Sequence, residues 1–198
     1  MTDLTTVQPE GTVPSGPSRR ALVAGAAWAV PAIAIASAAP AMAISTPPGL
    51  QGWVTISRSG GDGNCTLEID GVGNYDTRGL WVFNTTNTTV LTGAFIVFYY
   101  PTSLGILTWV TATGNSGWSA PAYDAGDNTV AGHYAYKTTY SGSWTFVNGT
   151  PTYTLANGDP HFTSSSATCP NGDIGVYARR TVTVNGSTIS FIRGPVNI

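Results

Sequence analysis

Beyond its first forty-three residues the sequence predicts an all-β antiparallel sandwich, and three observations carry that reading. β-Branched and aromatic residues dominate the apolar segments, as suits a pleated, half-buried surface. No segment after Ala43 combines a helical apolar period with capping residues. Turn dipeptides punctuate the chain at short intervals: Asn148-Gly149, Asn157-Gly158, Asn171-Gly172 and Asn185-Gly186.

In chain order, the first element is a leader over residues 1–43, expected to contain a signal helix. Arg19-Arg20 opens a run from Ala21 to Ala39 without a charge, and Ala41-Met42-Ala43 forms a small-x-small processing site. Cleavage is expected between Ala43 and Ile44. A run this long could also remain as a membrane anchor, but Pro31 interrupts it, alanine makes it weakly hydrophobic, and no basic stop-transfer cluster follows. The long polar stretch before Arg19-Arg20 resembles the twin-arginine type of bacterial export signal, with general secretion as the other route. The alanine-rich core resembles leaders common in actinobacteria.

Residues 44–52, with Pro47-Pro48, read as a short linker, and residues 53–198 as a single domain. Strands are predicted over 53–58, 65–70, 80–84, 94–100, 106–113, 129–138, 143–147, 174–184 and 187–193. Asn185-Gly186 lies between the last two, and both residues accept the positive φ of a type I′ turn, so a terminal hairpin is expected. Pro101 and Pro121 fall where strands should stop.

Charge narrows the partners. Arg58, Arg78, Lys137, Arg179, Arg180 and Arg193 face eight acidic residues after the leader, and only 9% of the chain is charged. No basic field is available to draw in phosphates, which argues against nucleic acid. Nothing implies a cofactor, and once the leader is removed no further membrane span is expected. Cys65 and Cys169 are the only thiols; in an exported chain they read as one disulfide between strands or strand ends on two sheets, the alternative being two free buried thiols.

From Leu80 the chain reads LWVFNTTNTTVLTGAFIVFYYPTSL, followed by Trp109-Val-Thr-Ala-Thr-Gly and a Gly/Ser turn to Trp118. This pattern resembles the bacterial surface-repeat family of immunoglobulin-like domains, in which V-x-N-T-G, T-G-V-x-V and L-P-x-G-L recur. Thr86, Tyr99 and Ser103 depart from it. The resemblance implies an immunoglobulin-like β-sandwich and a structural pattern without catalytic residues. The order Cys65, Trp81, Cys169 also echoes the immunoglobulin Cys-Trp-Cys pattern, although its second interval needs an insertion of roughly thirty residues.

For chemistry, the chain holds no Gly-x-Ser-x-Gly elbow, no His-Glu-x-x-His and no phosphate loop. His133 and His161 are its only imidazoles; His133 alternates with Tyr134 and suits a solvent-facing position. Glu68 with Asp70, and Asp124 with Asp127, could supply the carboxylates of a secreted hydrolase acting on envelope polysaccharide, but Asp-Gly and Asp-Asn pairs are also turn formers. The glycine-rich stretch around Asp62 lacks the bidentate Glu of a strong calcium site. Aromatic residues lead further. Tyr134, Tyr136 and Tyr140 fall on alternate positions, so on one strand they line one face, either as an open binding platform or as part of the core. The expected function is therefore a non-enzymatic module, structural or binding, that contacts cell-envelope polysaccharide or a surface protein through aromatic side chains.

Overall fold

A computed structural model describes residues 46–61, 63–75 and 78–198. The leader, with Arg19, Arg20, the Ala43–Ile44 junction and its expected helix, lies outside the described residues, as does Asp62.

Every regular element described is a strand apart from one 3-10 turn at Thr102–Leu104. The first seven strands are β1 (Gly49–Trp53), β2 (Thr55–Gly61), β3 (Asn64–Asp70), β4 (Gly79–Phe83), β5 (Leu91–Pro101), β6 (Trp109–Thr111) and β7 (Ala122–Tyr123). Six more follow: β8 (His133–Thr139), β9 (Trp144–Val147), β10 (Tyr153–Ala156), β11 (His161–Ser164), β12 (Gly175–Val184) and β13 (Ser187–Asn197). They pair, all antiparallel, into sheets of order β1-β4-β10-β9, β2-β3-β11-β6 and β13-β12-β5-β8-β7. The all-β sandwich expected from the sequence is what the chain forms.

Period-two alternation places the core. On β5, Ala94, Ile96, Phe98 and Tyr100 face inward and meet Leu80 and Val82 of β4, Leu67 and Ile69 of β3, and Phe162 of β11. All three sheets therefore contribute to one apolar interior. The opposite face of β5 carries Val97 and Tyr99, also fully buried, which with Ala135 form a smaller cluster beneath Val130. A strand buried on both faces along residues 96–100 explains why residues 94–100 read as a near-continuous apolar run.

The linker expected over 44–52 ends early. From Gly49 the chain pairs with β4, Leu50 opposite Val82, and Leu50 joins the core. Gly49 permits this, because a Cβ there would fall 2.0 Å from the Phe83 ring. The terminal hairpin matches its turn chemistry: Asn185 and Gly186 have φ of 49° and 83°, and Val184 pairs with Ser187 across them.

Cys65 and Cys169 form the expected disulfide, with Cα atoms 5.7 Å apart. Its placement differs from the two-sheet expectation. Cys169 lies in the coil after β11, where Cys65 and Ala167 exchange backbone hydrogen bonds at 3.0 and 2.8 Å, so the bond reinforces the β3 side of one sheet. Trp81 does not pack on it in the immunoglobulin manner. Its ring leaves the core row of Leu80 and Val82 and meets Tyr75 edge-on at 5.2 Å, and Tyr75 stacks on Tyr153 at 3.8 Å.

Candidate functional site

The tyrosine row is the first test of a binding face. Tyr134 and Tyr136 share one face of β8, as alternation demands, but it is the inner one. Tyr136 is 0% exposed, its ring 6.0 Å from Trp109 and 6.2 Å from Tyr100, and its hydroxyl accepts the Leu107 N–H at 2.9 Å. The open-platform expectation is therefore corrected at Tyr136: the face that the row lines packs against the other two sheets. Tyr140, just past the strand, is half-buried between Trp118 and Trp144 at 4.9 and 5.4 Å, and donates to the Ser143 carbonyl at 2.6 Å. Tyr134 is half-buried too, and its outer edge meets Tyr123 at 5.4 Å, nearly perpendicular.

Of the rings around this row, Tyr123 is the one that reaches solvent, at 41% exposure. It belongs to β7, a two-residue strand at the sheet edge, opposite Tyr136. Such a short element produces no alternation, which is why sequence reading passed it over; Pro121 before it and Asp124 after it were the available signals of an exposed edge.

The residues that follow Tyr123 form a loop over the outer face of β8, and Asp127 ties it down. The Asp127 carboxylate accepts the Thr129 amide at 3.0 Å, the Thr129 hydroxyl at 2.7 Å and the Tyr99 hydroxyl at 3.0 Å, and pairs with Arg179. Burial opposes its charge, but these donors and the Arg179 guanidinium outweigh burial and hold the carboxyl below its ordinary range. Asp124 likewise accepts the Gly126 amide at 3.2 Å.

Two clefts flank Tyr123. One, of about 220 Å³, runs beneath the loop and is lined by Thr102, Asp127, Asn128, His133 and Tyr134. The other, of about 460 Å³, is more open and is lined by Ser119, Lys137 and Thr139. His133 is not the solvent-facing residue expected. It is half-buried, with Nδ1 2.9 Å from the Ala131 carbonyl oxygen and Nε2 3.2 Å from that of Gly175.

Glu68 and Asp70 lie beside the second imidazole. His161 of β11 lies opposite Asp70 of β3; its Nε2 is 2.9 Å from Glu68 Oε1 and its Nδ1 2.6 Å from the Thr113 carbonyl oxygen. The hydrogen bond to Glu68, opposed by partial burial, raises the imidazole's affinity for its proton. Asp159 accepts the Gly73 amide at 3.2 Å, and burial together with the Asp70 charge pushes its carboxyl up. Among the described residues, no group of three or more His, Cys, Asp or Glu converges to hold a metal ion.

No family model, curated protein or solved structure matches this chain. The site therefore stands on its own geometry. The disulfide fits an oxidising, extracytoplasmic compartment, and among the described residues no helix is long and apolar enough to cross a membrane.

Proposed function

We propose that this chain is an exported, non-enzymatic module of the bacterial cell envelope, with the immunoglobulin-like character that residues 80–118 suggest, which binds polysaccharide or a surface protein at the Tyr123 clefts. The observation that carries the reading is Tyr123 itself: a ring open to solvent, braced edge-on by Tyr134 and standing between two polar clefts. Flat rings with neutral polar neighbours suit sugars and peptides, because they bury much area at low entropic cost. Asn128, Ser119 and Thr139 supply the polar neighbours. The twin-arginine-like leader supports delivery outside the cytoplasm.

A non-catalytic role is supported by the way carboxylates are used. Asp127 is occupied by three side chains and a backbone amide, and Glu68 is shared between His161 and the Ser57 hydroxyl at 3.3 Å. The alternative is an Asp/Glu-dependent hydrolase, for which Asp159, its carboxyl pushed up by burial and by the Asp70 charge, is the residue to test.

Binding of the mature protein to isolated envelope polysaccharide and to envelope protein extracts, measured for wild type and Tyr123→Ala, tests the proposal. We expect roughly tenfold weaker binding, as for loss of a stacking ring, with an unchanged melting temperature. Equal binding by the variant would overturn the site. Release of reducing sugar by wild type that disappears in Asp159→Asn would overturn the non-enzymatic reading.

A further inference from the structure

On β12, Val176, Ala178, Val182 and Val184 form the row that faces the core, and Arg180 stands in the same row at 3% exposure. A cation in an apolar row is costly unless it is paired. Neither Arg180 nor Arg193, its neighbour on β13, forms an ion pair with any described carboxylate. Arg180 Nη1 donates to the Ala178 carbonyl at 3.2 Å and its guanidinium faces the Phe191 ring at 5.4 Å, but its buried Nε has no hydrogen-bond partner. Gly52 of β1 makes room for it: a Cβ there would lie 3.1 Å from Arg180 Nε and 2.9 Å from the Gly79 carbonyl oxygen.

Arg193 adds a second positive charge. Its guanidinium lies 4.0 Å from the centre of the Trp53 ring, and one nitrogen donates to Gln51 Oε1 at 2.6 Å, which leaves further N–H groups of the fork uncommitted. Burial first, then the charge of Arg193, pulls the Arg180 pKa down to about 10, so the two cations repel across this space. Both line a cleft of about 50 Å³ with Trp53, Ile56, Val176 and Val196, and Trp53 is 48% exposed at its edge. That volume exceeds the roughly 10–15 Å³ that a single water needs, which leaves room for one small oxyanion.

We propose that this cleft binds an oxyanion carried on a sugar, either a uronate carboxylate or a sugar phosphate, with Arg180 and Arg193 holding the anion and the exposed part of Trp53 meeting the sugar ring. An anion here would offset the unpaired Arg180 charge and relieve the repulsion between the two guanidinium groups. Planar, forked guanidinium is also the chemistry that recognises carboxylate and phosphate. The site is separate from the Tyr123 clefts, so Tyr123→Ala and the arginine variants succeed or fail independently.

The test titrates the mature protein with glucuronate, glucose 6-phosphate and glucose at constant ionic strength, following tryptophan fluorescence and melting temperature. A saturable response to glucuronate, to glucose 6-phosphate or to both, absent with glucose, supports the site and names the source of the anion. Arg193→Gln should weaken that response roughly tenfold or more, the usual consequence of losing hydrogen bonds to a charged group. Arg180→Met should abolish it while holding or raising the melting temperature, because replacing an uncompensated buried charge by an apolar side chain is neutral or stabilising. No saturable response to either charged sugar, an equal response to glucose, or an unaltered response in Arg193→Gln would overturn the proposal.

Discussion

Tyr100 and Tyr136 lie on adjacent strands, both 0% exposed, yet their hydroxyls are in opposite situations. Tyr136 accepts the Leu107 amide, whereas the buried Tyr100 hydroxyl has no partner, and burial pushes its pKa far above the ordinary phenol value. Tyr136→Phe should therefore cost about 1–3 kcal/mol, because it strands the Leu107 N–H, while Tyr100→Phe should be neutral or stabilise by about 1 kcal/mol. Urea unfolding of the two variants checks the pair, and equal destabilisation would contradict it. Part of this scale was legible in the sequence. Spacing placed Tyr134 and Tyr136 on one face, but which face is interior depends on sheets formed by residues far away in the chain. Arg180 was more open to inference: within a strand over 174–184, adjacent Arg179 and Arg180 must point to opposite faces, so one of them enters the valine row.

At the scale of elements, His161 stitches β11 to β3 through Glu68 and to the segment after β6 through the Thr113 carbonyl. Both ring nitrogens face acceptors, an arrangement that only the protonated imidazole satisfies fully, and the group's pKa is accordingly raised. The resulting stability is fully present below the unfolded value of about 6.5 and is lost as pH rises through the higher folded value. Chemical denaturation between pH 5 and 9 should show a decline over that window in wild type and a flatter profile in His161→Gln; parallel profiles would count against the stitch. β10 and β11 escaped the sequence reading for a related reason. Each has four residues, and β11 carries His161, Thr163 and Ser164, so its strand character comes from pairing with β3 and β6 on either side and not from apolar alternation. The longer strands β5, β12 and β13 carried their own signal, and the Asn185-Gly186 turn fixed the register of the last two.

Across the whole molecule, sheets of four, four and five strands close over one interior, and the cross-link spans a sequence separation of 104 residues. Closing a loop of that length restricts the unfolded chain strongly. Both cysteines are also buried members of the core, and a Cys65→Ser/Cys169→Ser double variant should lose about 2–5 kcal/mol in thermal unfolding. An unchanged melting temperature would contradict the loop-closure argument.

The same ring has a consequence for damage. Strands β4 to β11 all lie between the two cysteines, and so does the turn after β4, exposed at Thr86, Asn87 and Thr88. A single proteolytic nick in that turn separates the chain in sequence but not in mass: both fragments stay tethered through Cys65 and Cys169 and migrate together until a thiol reductant is added. The Arg180–Arg193 cleft, whose Trp53 and Ile56 lie on the N-terminal fragment and whose arginines lie on the C-terminal one, would thus keep both walls on one covalent body after a cut that would separate them in an uncross-linked sandwich.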